Sequence, residues 1–439
     1  MSADQDRQLR DSLLKSLTHK GGLMSKFVIT LSVLLNSTLT WADDDAELLA
    51  KAKALHEQIL TLDAHADIEL PNAPSSYVGP DGLSKVAPDK MRAGGLDAVV
   101  MAVAVGPKPR TSEGYADARR VADRELEAIA TLVADPRNQS VLVATTEELD
   151  RAHQDGQRAL LLGLQNALIL GTDLTAIDEF FDAGVRVFAL THMGHNDFAD
   201  SSRPLFDAAL GKREPDAEHG GLSALGKAAI KRINALGGVV DVSQLSKEAA
   251  LQAMALSTTP VIASHSNAYA LTKVSRNLSD EELDRLGATG GVVHIAPFAG
   301  YLFDSKDAEL DAAIRSIRRE AGVDENYLYP FELYWEITDP EVKTKFLTDI
   351  RELLGPIDLD TMLNHLDYVA KRIGVDHVGI GTDFNHGSGV DGFQDAADAL
   401  NVTLGLIKRG YSDEDIAKIW GGNFVRVWRQ AEQTHSARK

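Results

Sequence analysis

A (β/α)8 TIM barrel is the fold predicted for this chain. Three observations predict it: eight short apolar runs, helical stretches between them, and a polar residue at the C-terminal end of most runs. The runs are TLDAHAD (61–67), LDAVVMAVAV (96–105), ALLLGL (159–164), VRVFALT (185–191), GVVDVS (238–243), PVIAS (260–264), GGVVHIA (290–296) and HVGIGT (377–382). Near-continuous apolar runs of this length, rich in Val and Ile, are the pattern of parallel strands buried on both faces. Stretches of helical period lie between them, such as 115–133 and 225–236. A strand–helix alternation repeated this often describes an α/β barrel; a doubly wound open sheet is the alternative.

The first run carries His65 and Asp67, one residue apart. Side chains at i and i+2 of a strand share a face, so an imidazole and a carboxylate lie side by side, a pairing that suits a borderline divalent ion such as zinc. Alone, His-x-Asp is a common chance pattern. The third run leads into Gln165 and Asn166, the fourth into His192, the fifth into Gln244, the sixth into His265 and the eighth into Asp383, while the seventh contains His294. One such histidine is more often a satisfied core residue. In a barrel, however, all strand ends meet at one mouth, and so many polar ends together point to a common site.

The totals narrow the function. The chain has 439 residues, 44% hydrophobic and 25% charged, enough for a large core. Its formal net charge of −20, from 45 basic and 65 acidic side chains, sets nucleic acid and anionic lipid aside as partners. No cysteine is present, which excludes disulfides, thiolate zinc sites and cysteine nucleophiles. Near the N-terminus, Lys26 precedes the apolar FVITLSVLL (27–35), and Ala42 precedes three aspartates. A basic start, a short apolar run and a small residue at the cut fit a secretory signal peptide cleaved after about Ala42. The run is too short for a membrane span, which takes about 20 residues; Met24 is an alternative start and a buried N-terminal helix an alternative reading. The expected division is therefore 1–42 as extension and signal peptide and 43–439 as the barrel, with a periplasmic or secreted location.

Two long loops are expected at the mouth. Residues 200–221 contain SSRP and EPDAEHGG, and the excursion 298–360 contains the aromatic YLYPFELYWEI (327–337). The latter suits a lid or substrate wall, an extra packed helix or a dimer contact equally. A hydrolytic metal site needs ligands, an open position for water, an acid or base and a clamp for the substrate. His65, Asp67 and His265 supply ligands, and Asp383 suits either ligation or proton transfer. Arg276 in VSRN suits a forked grip on a carboxylate or an ordinary surface ion pair. His192 and His195 suit carbonyl polarisation or loop tying, with His192 favoured for function. Asn385 and His386 follow Asp383 in a Gly-rich turn able to approach a ligand closely.

The ordered motifs DAHAD, GVRVFALTHMGHNDFADSS, GLSALGKAAIKRINALGGVVDVS, PVIASHSNAYAL, RNLSDEEL and VAKRIGVDHVGIGTDF, together with the closing WGGNFVRVW, resemble the membrane (renal) dipeptidase family over nearly everything from about residue 50. The resemblance implies an amidohydrolase-like barrel, two zinc ions and cleavage of dipeptides with a free C-terminal carboxylate, often tolerating a D-residue there. It implies His65 and Asp67 as ligands of the first zinc and His265 as a ligand of the second. It implies His192 as a substrate-binding or transition-state residue, Arg276 and the adjacent Asn277 as substrate-binding residues, and Asp383 as the acid/base. Two positions depart from it. Gln165 in GLQNA stands where the family has a glutamate bridging both metals, and Gln244 in DVSQLS where it has a histidine on the second metal.

A bridging carboxylate offers two anionic oxygens, whereas an amide offers one weak carbonyl donor and no charge. One zinc ion or none is therefore expected rather than two. Three readings follow: a dipeptidase-type metallohydrolase with a single-metal or relaxed site; a non-hydrolytic relative that binds or modifies a peptidic metabolite, as in the pyoverdine-maturation subgroup; and a binding partner without chemistry. The retained acid, clamp and histidines favour a working pocket. A small peptidic substrate is the expected partner, and a homodimer is left open.

Overall fold

In the computed structural model, which describes residues 46–207, 210–325, 334 and 336–436, each of the eight apolar runs forms a strand. They are β1 (Leu62–Asp67), β2 (Ala98–Ala104), β3 (Arg158–Gln165), β4 (Val185–Ala189), β5 (Val239–Asp241), β6 (Ile262–Ala263), β7 (Val292–Ile295) and β8 (Val378–Ile380). Neighbours pair in parallel from β1 to β8 in sequence order. The Asp67 amide donates to the Phe384 carbonyl and the Asp383 amide to the His65 carbonyl, both at 2.9 Å, which brings the last strand back to the first. An open sheet is thereby ruled out. One short strand, Ser140–Leu142, adds to the start of β3 and was not expected. The chain divides at Lys53/Ala54, and the barrel lies within the unit Ala54–Lys439. The extension and signal peptide expected at 1–42 lie outside the described residues. No described helix is long and apolar enough to cross a membrane.

Strand alternation separates two layers. Ala98 and Val100 of β2, Leu161 of β3, Val187, Val239, Ile262 and Val292 share one buried cluster with Phe424, Val427 and Trp428. Those last three belong to the C-terminal helix Asn423–Ser436, which packs against this barrel layer. The intervening residues Val99, Met101, Val103, Leu160, Leu162 and Leu164 belong to a second cluster with residues of the surrounding helices. The helices start where the sequence supplies caps. Ser223 accepts from the Gly226 amide ahead of Ala224–Leu236, and Ser279 with Glu282 forms a reciprocal capping box ahead of Asp280–Ala288. Gly237, at φ 85°, ends the former in a left-handed turn that favours glycine.

Within the excursion after β7, the helices Ala308–Glu320 and Pro340–Leu354 pack together through Ile314, Phe346 and Ile350, with Tyr301 and Phe303 beneath them. Extra packed helices are thus the form taken by its described part. Most of the aromatic segment 327–337 lies outside the described residues.

Candidate metal centre

The C-terminal ends of the strands converge as a barrel requires. His65 and Asp67 point to one face of β1, with His65 Nε2 3.4 Å from Asp67 Oδ1 and 3.9 Å from Asp383 Oδ1. Across the barrel, the His265 ring stacks on that of His65 at 3.9 Å between centroids. Ligating atoms of His65, His265 and Asp383 all lie within 4.8 Å of one another, and all three residues are buried. Asp67 Oδ1 is buried without a hydrogen-bond partner, while its Oδ2 lies 2.7 Å from His386 Nδ1. The His65 imidazole, the Asp383 carboxylate and the orphaned Asp67 oxygen form a donor set that fits one divalent ion.

Backbone devices aim these groups. Asp63, two residues before His65 on the same face, accepts from the His65 amide (3.1 Å) and the Thr382 amide (2.7 Å). This displaces the β1 ladder, whose register shifts between Asp63 and Ala66. Asp241 does the same at β5, accepting from the amides of Ser243 and Ser264 and from the Ser264 hydroxyl. Gln244 (φ 70°) and Asp383 (φ 56°) adopt left-handed backbone although neither is glycine. Such conformations cost on the order of 1 kcal/mol each and concentrate at functional sites.

The neighbouring charges set the protonation states. Burial pulls the His65 imidazole down, but Asp67 and Asp383 outweigh it and the net shift is upward. Burial raises Asp67, yet His386 and His65 hold it well below the carboxylate range. Burial likewise lowers His386, but Asp67 and Asp383 push it up to about 9. Asp383 is raised, chiefly by burial, against the pull of His386 and His65. His265 and His192 are held well below the usual histidine value by burial and by nearby positive groups, Arg203 and Arg276 among them. Both are therefore neutral, and each neutral ring offers one donor and one acceptor.

The other half of the pocket is built from amides. Gln165 Nε2 lies 3.5 Å from His65 Nε2 and 3.4 Å from His265 Nε2. Gln244 Nε2 lies 3.2 Å from His265 Nε2, and its carbonyl accepts from Arg203. Gln165 and Gln244 are neutral amides and a guanidinium stands beside Gln244, so neither glutamine brings an anionic donor to a divalent ion.

The remaining expected residues divide. Arg276 is buried, not a surface ion pair: it donates to the His265 carbonyl (2.8 Å) and lies over the Tyr301 ring, and no described carboxylate pairs with it. His192 is buried with both ring nitrogens unpartnered, edge-on to His386 at 5.1 Å. Asn277 uses its amide nitrogen to tie Thr272 and Tyr301 carbonyls, and it lines a cavity of about 580 Å³ with Ser202, Tyr269 and Ser275. His195 ties loops, accepting from the Ser201 amide and bonding the Pro215 carbonyl. Asn385 also ties loops, through the Asp67 carbonyl and the Lys85 amide. His294 does not join the mouth. It packs edge-on to Phe424 in the apolar layer and bonds the Ala263 carbonyl, because its parity along β7 turns it into that layer. Sequence reasoning misses Arg203, a single arginine in a long loop. It marks His386 only for its turn, yet His386 is the partner of Asp67. Asp63 has a signal in the i, i−2 parity with His65; Asp241 and Ser264 have none.

The fold and this cluster define a (β/α)8 barrel with a candidate metal centre at the C-terminal mouth of its strands. The model of the membrane dipeptidase family, peptidase family M19, matches residues 49–439, and the chain belongs to that family. Its members are metal-dependent hydrolases. Among solved structures, the probable dipeptidase PvdM from Pseudomonas aeruginosa is 34% identical, with a TM-score of 0.79 over 89% of this chain and 99% of that one. Dipeptidase tcpJ of Claviceps purpurea is 29% identical over 67% of this chain and 56% of its own length. Dipeptidase aclJ of Aspergillus oryzae is 30% identical over 65% and 54%. The chain thus spans little more than half the length of these two relatives.

Proposed function

We propose that the protein is a dipeptidase-type hydrolase with a single-metal site, acting on a dipeptide or related peptidic amide after export to the periplasm. The observation that carries this reading is the convergence of His65 and Asp383 beside the orphaned Asp67 oxygen. Zinc held there supplies a Lewis acid that acidifies water and polarises the scissile carbonyl. The protein's own groups do the rest. Arg276, a buried cation with no carboxylate among the described residues, receives the substrate's terminal carboxylate. The neutral His192 imidazole, with free donor and acceptor nitrogens, orients the peptide. Asp383, its carboxyl raised by burial, takes a proton from the attacking water and returns it to the leaving amine.

Metal analysis and dipeptide hydrolysis test this together. About one equivalent of zinc, lost with hydrolysis in His65→Ala, is expected, and Gln165→Glu should tighten that ion by adding an anionic ligand. Two tightly held ions in the natural sequence would overturn the single-site reading. Export rests on residues 24–42, and the mass of the mature protein, starting after about Ala42, checks it. The second reading, a non-hydrolytic protein that binds or modifies a peptidic metabolite such as a siderophore precursor, is favoured by the amides at Gln165 and Gln244. It predicts no zinc, no hydrolysis and peptide binding that survives chelation.

A further inference from the structure

We infer that Arg203 is a resident cation in the place of the second metal: through Gln244 it occupies the metal-binding nitrogen of His265 and excludes a second divalent ion. A guanidinium can only donate, so Arg203 settles which end of the Gln244 amide faces it: the carbonyl. The amide nitrogen therefore faces His265 Nε2 at 3.2 Å, and that ring nitrogen must accept. The proton of the neutral ring then sits on Nδ1, which donates to the Ser264 hydroxyl at 2.8 Å. Ser264 in turn donates to the Asp241 carboxylate. The result is one continuous run from a cation to an anion, Arg203–Gln244–His265–Ser264–Asp241.

All of this run is buried. Arg203 is 5% exposed, Gln244 3%, Asp241 1%, and His265 and Ser264 0%. A dication arriving at His265 Nε2 would have to displace the Gln244 N–H and sit near a guanidinium of like charge, in a site where water screens little. The two glutamines remove ligands, but Arg203 adds repulsion. Restoring the ligands alone should therefore not restore a second ion.

The inference rests on the single-ion reading above, and the experiment separates the two. Zinc would be counted after equilibration with excess metal and desalting for the natural sequence, for Gln165→Glu/Gln244→His, and for that pair combined with Arg203→Ser, Arg203→Gln or Arg203→Lys. About one equivalent is expected for the pair and for its Arg203→Lys form, rising to about two with the neutral replacements. Two equivalents in the natural sequence would sink the single-ion reading. Two equivalents in the pair with Arg203 in place would sink this one, as would one equivalent in folded forms carrying either neutral replacement. Circular dichroism establishes folding, and Arg203→Gln, which keeps a hydrogen-bonding side chain, carries the test should Arg203→Ser not fold.

Discussion

Across the pocket, β1 and the β8 loop present the carboxylates of Asp67 and Asp383 with the imidazoles of His65 and His386, whereas β3, β5 and the loop after β4 present the amides of Gln165 and Gln244 with the Arg203 guanidinium. Both halves touch the same His265. The first is short of positive charge, and its histidines are pushed towards protonation by the carboxylates. The second carries its own cation, while His265 is held towards neutrality chiefly by burial and by His65, with Arg276, His386 and Arg203 adding to them. A pocket can disfavour a divalent ion in two distinct ways. One is to offer neutral donors, as the amides of Gln165 and Gln244 do. The other is to hold a fixed positive charge, which no count of ligands reveals.

The largest expected effect falls on the acidic half. Asp383→Asn keeps the shape and removes the proton carrier, so kcat for dipeptide hydrolysis should fall roughly 100-fold or more, with circular dichroism unchanged. Activity within a few-fold of the parent would move the proton chemistry out of that half. Arg276→Met should raise KM for dipeptides roughly tenfold or more, while C-terminally amidated analogues lose little. Equal losses on both would mean that Arg276 supports the His265 backbone and does not bind substrate.

Behind the acidic half, Glu125 is buried on the helix Ser112–Ala134, accepting from the Ala104 amide at 2.8 Å. Burial, against that hydrogen bond, pushes its carboxyl up to about 9. A folded-state value above the unfolded one gives stability that is complete below the unfolded value and lost as pH rises through about 9. Glu125→Gln should therefore stabilise the protein by little near pH 5 and increasingly above it, by about 1.4 kcal/mol per pH unit up to about 9, read as a melting-temperature difference that grows with pH. A constant difference would show that the side chain ionises alike in both states.

The smallest effect belongs to His386, which is partly exposed. Its value is raised in the same sense, so in the metal-free protein its contribution is complete below its ordinary value and fades as pH passes about 9. His386→Asn should flatten that part of the melting profile, and an unchanged slope would break the assigned pairing with Asp67.

Much of the fold was legible because strands and helices announce themselves by local period. Each apolar run became a strand, and the parity of His65 and Asp67 placed them together. His294 shows the limit: it sits in a strand like the others, but its face and height in the barrel put it against Phe424. Arg276 shows another, since whether an arginine in a loop lies at the surface or under a strand end is not a local property.

By itself the sequence determined the barrel and the polar residues at its strand ends. These come from residue identity and from periods of two and 3.6, which a single stretch of chain reveals, whereas the departures at Gln165 and Gln244 are visible only against the family resemblance. Only the tertiary structure decided that Arg203 meets Gln244, that Gln244 then faces His265, and that Asp67 shares its charge with His386. Those contacts join residues 41, 21 and 319 positions apart. They exist because barrel closure and loop paths bring distant atoms within hydrogen-bonding reach, where direction and charge select one arrangement.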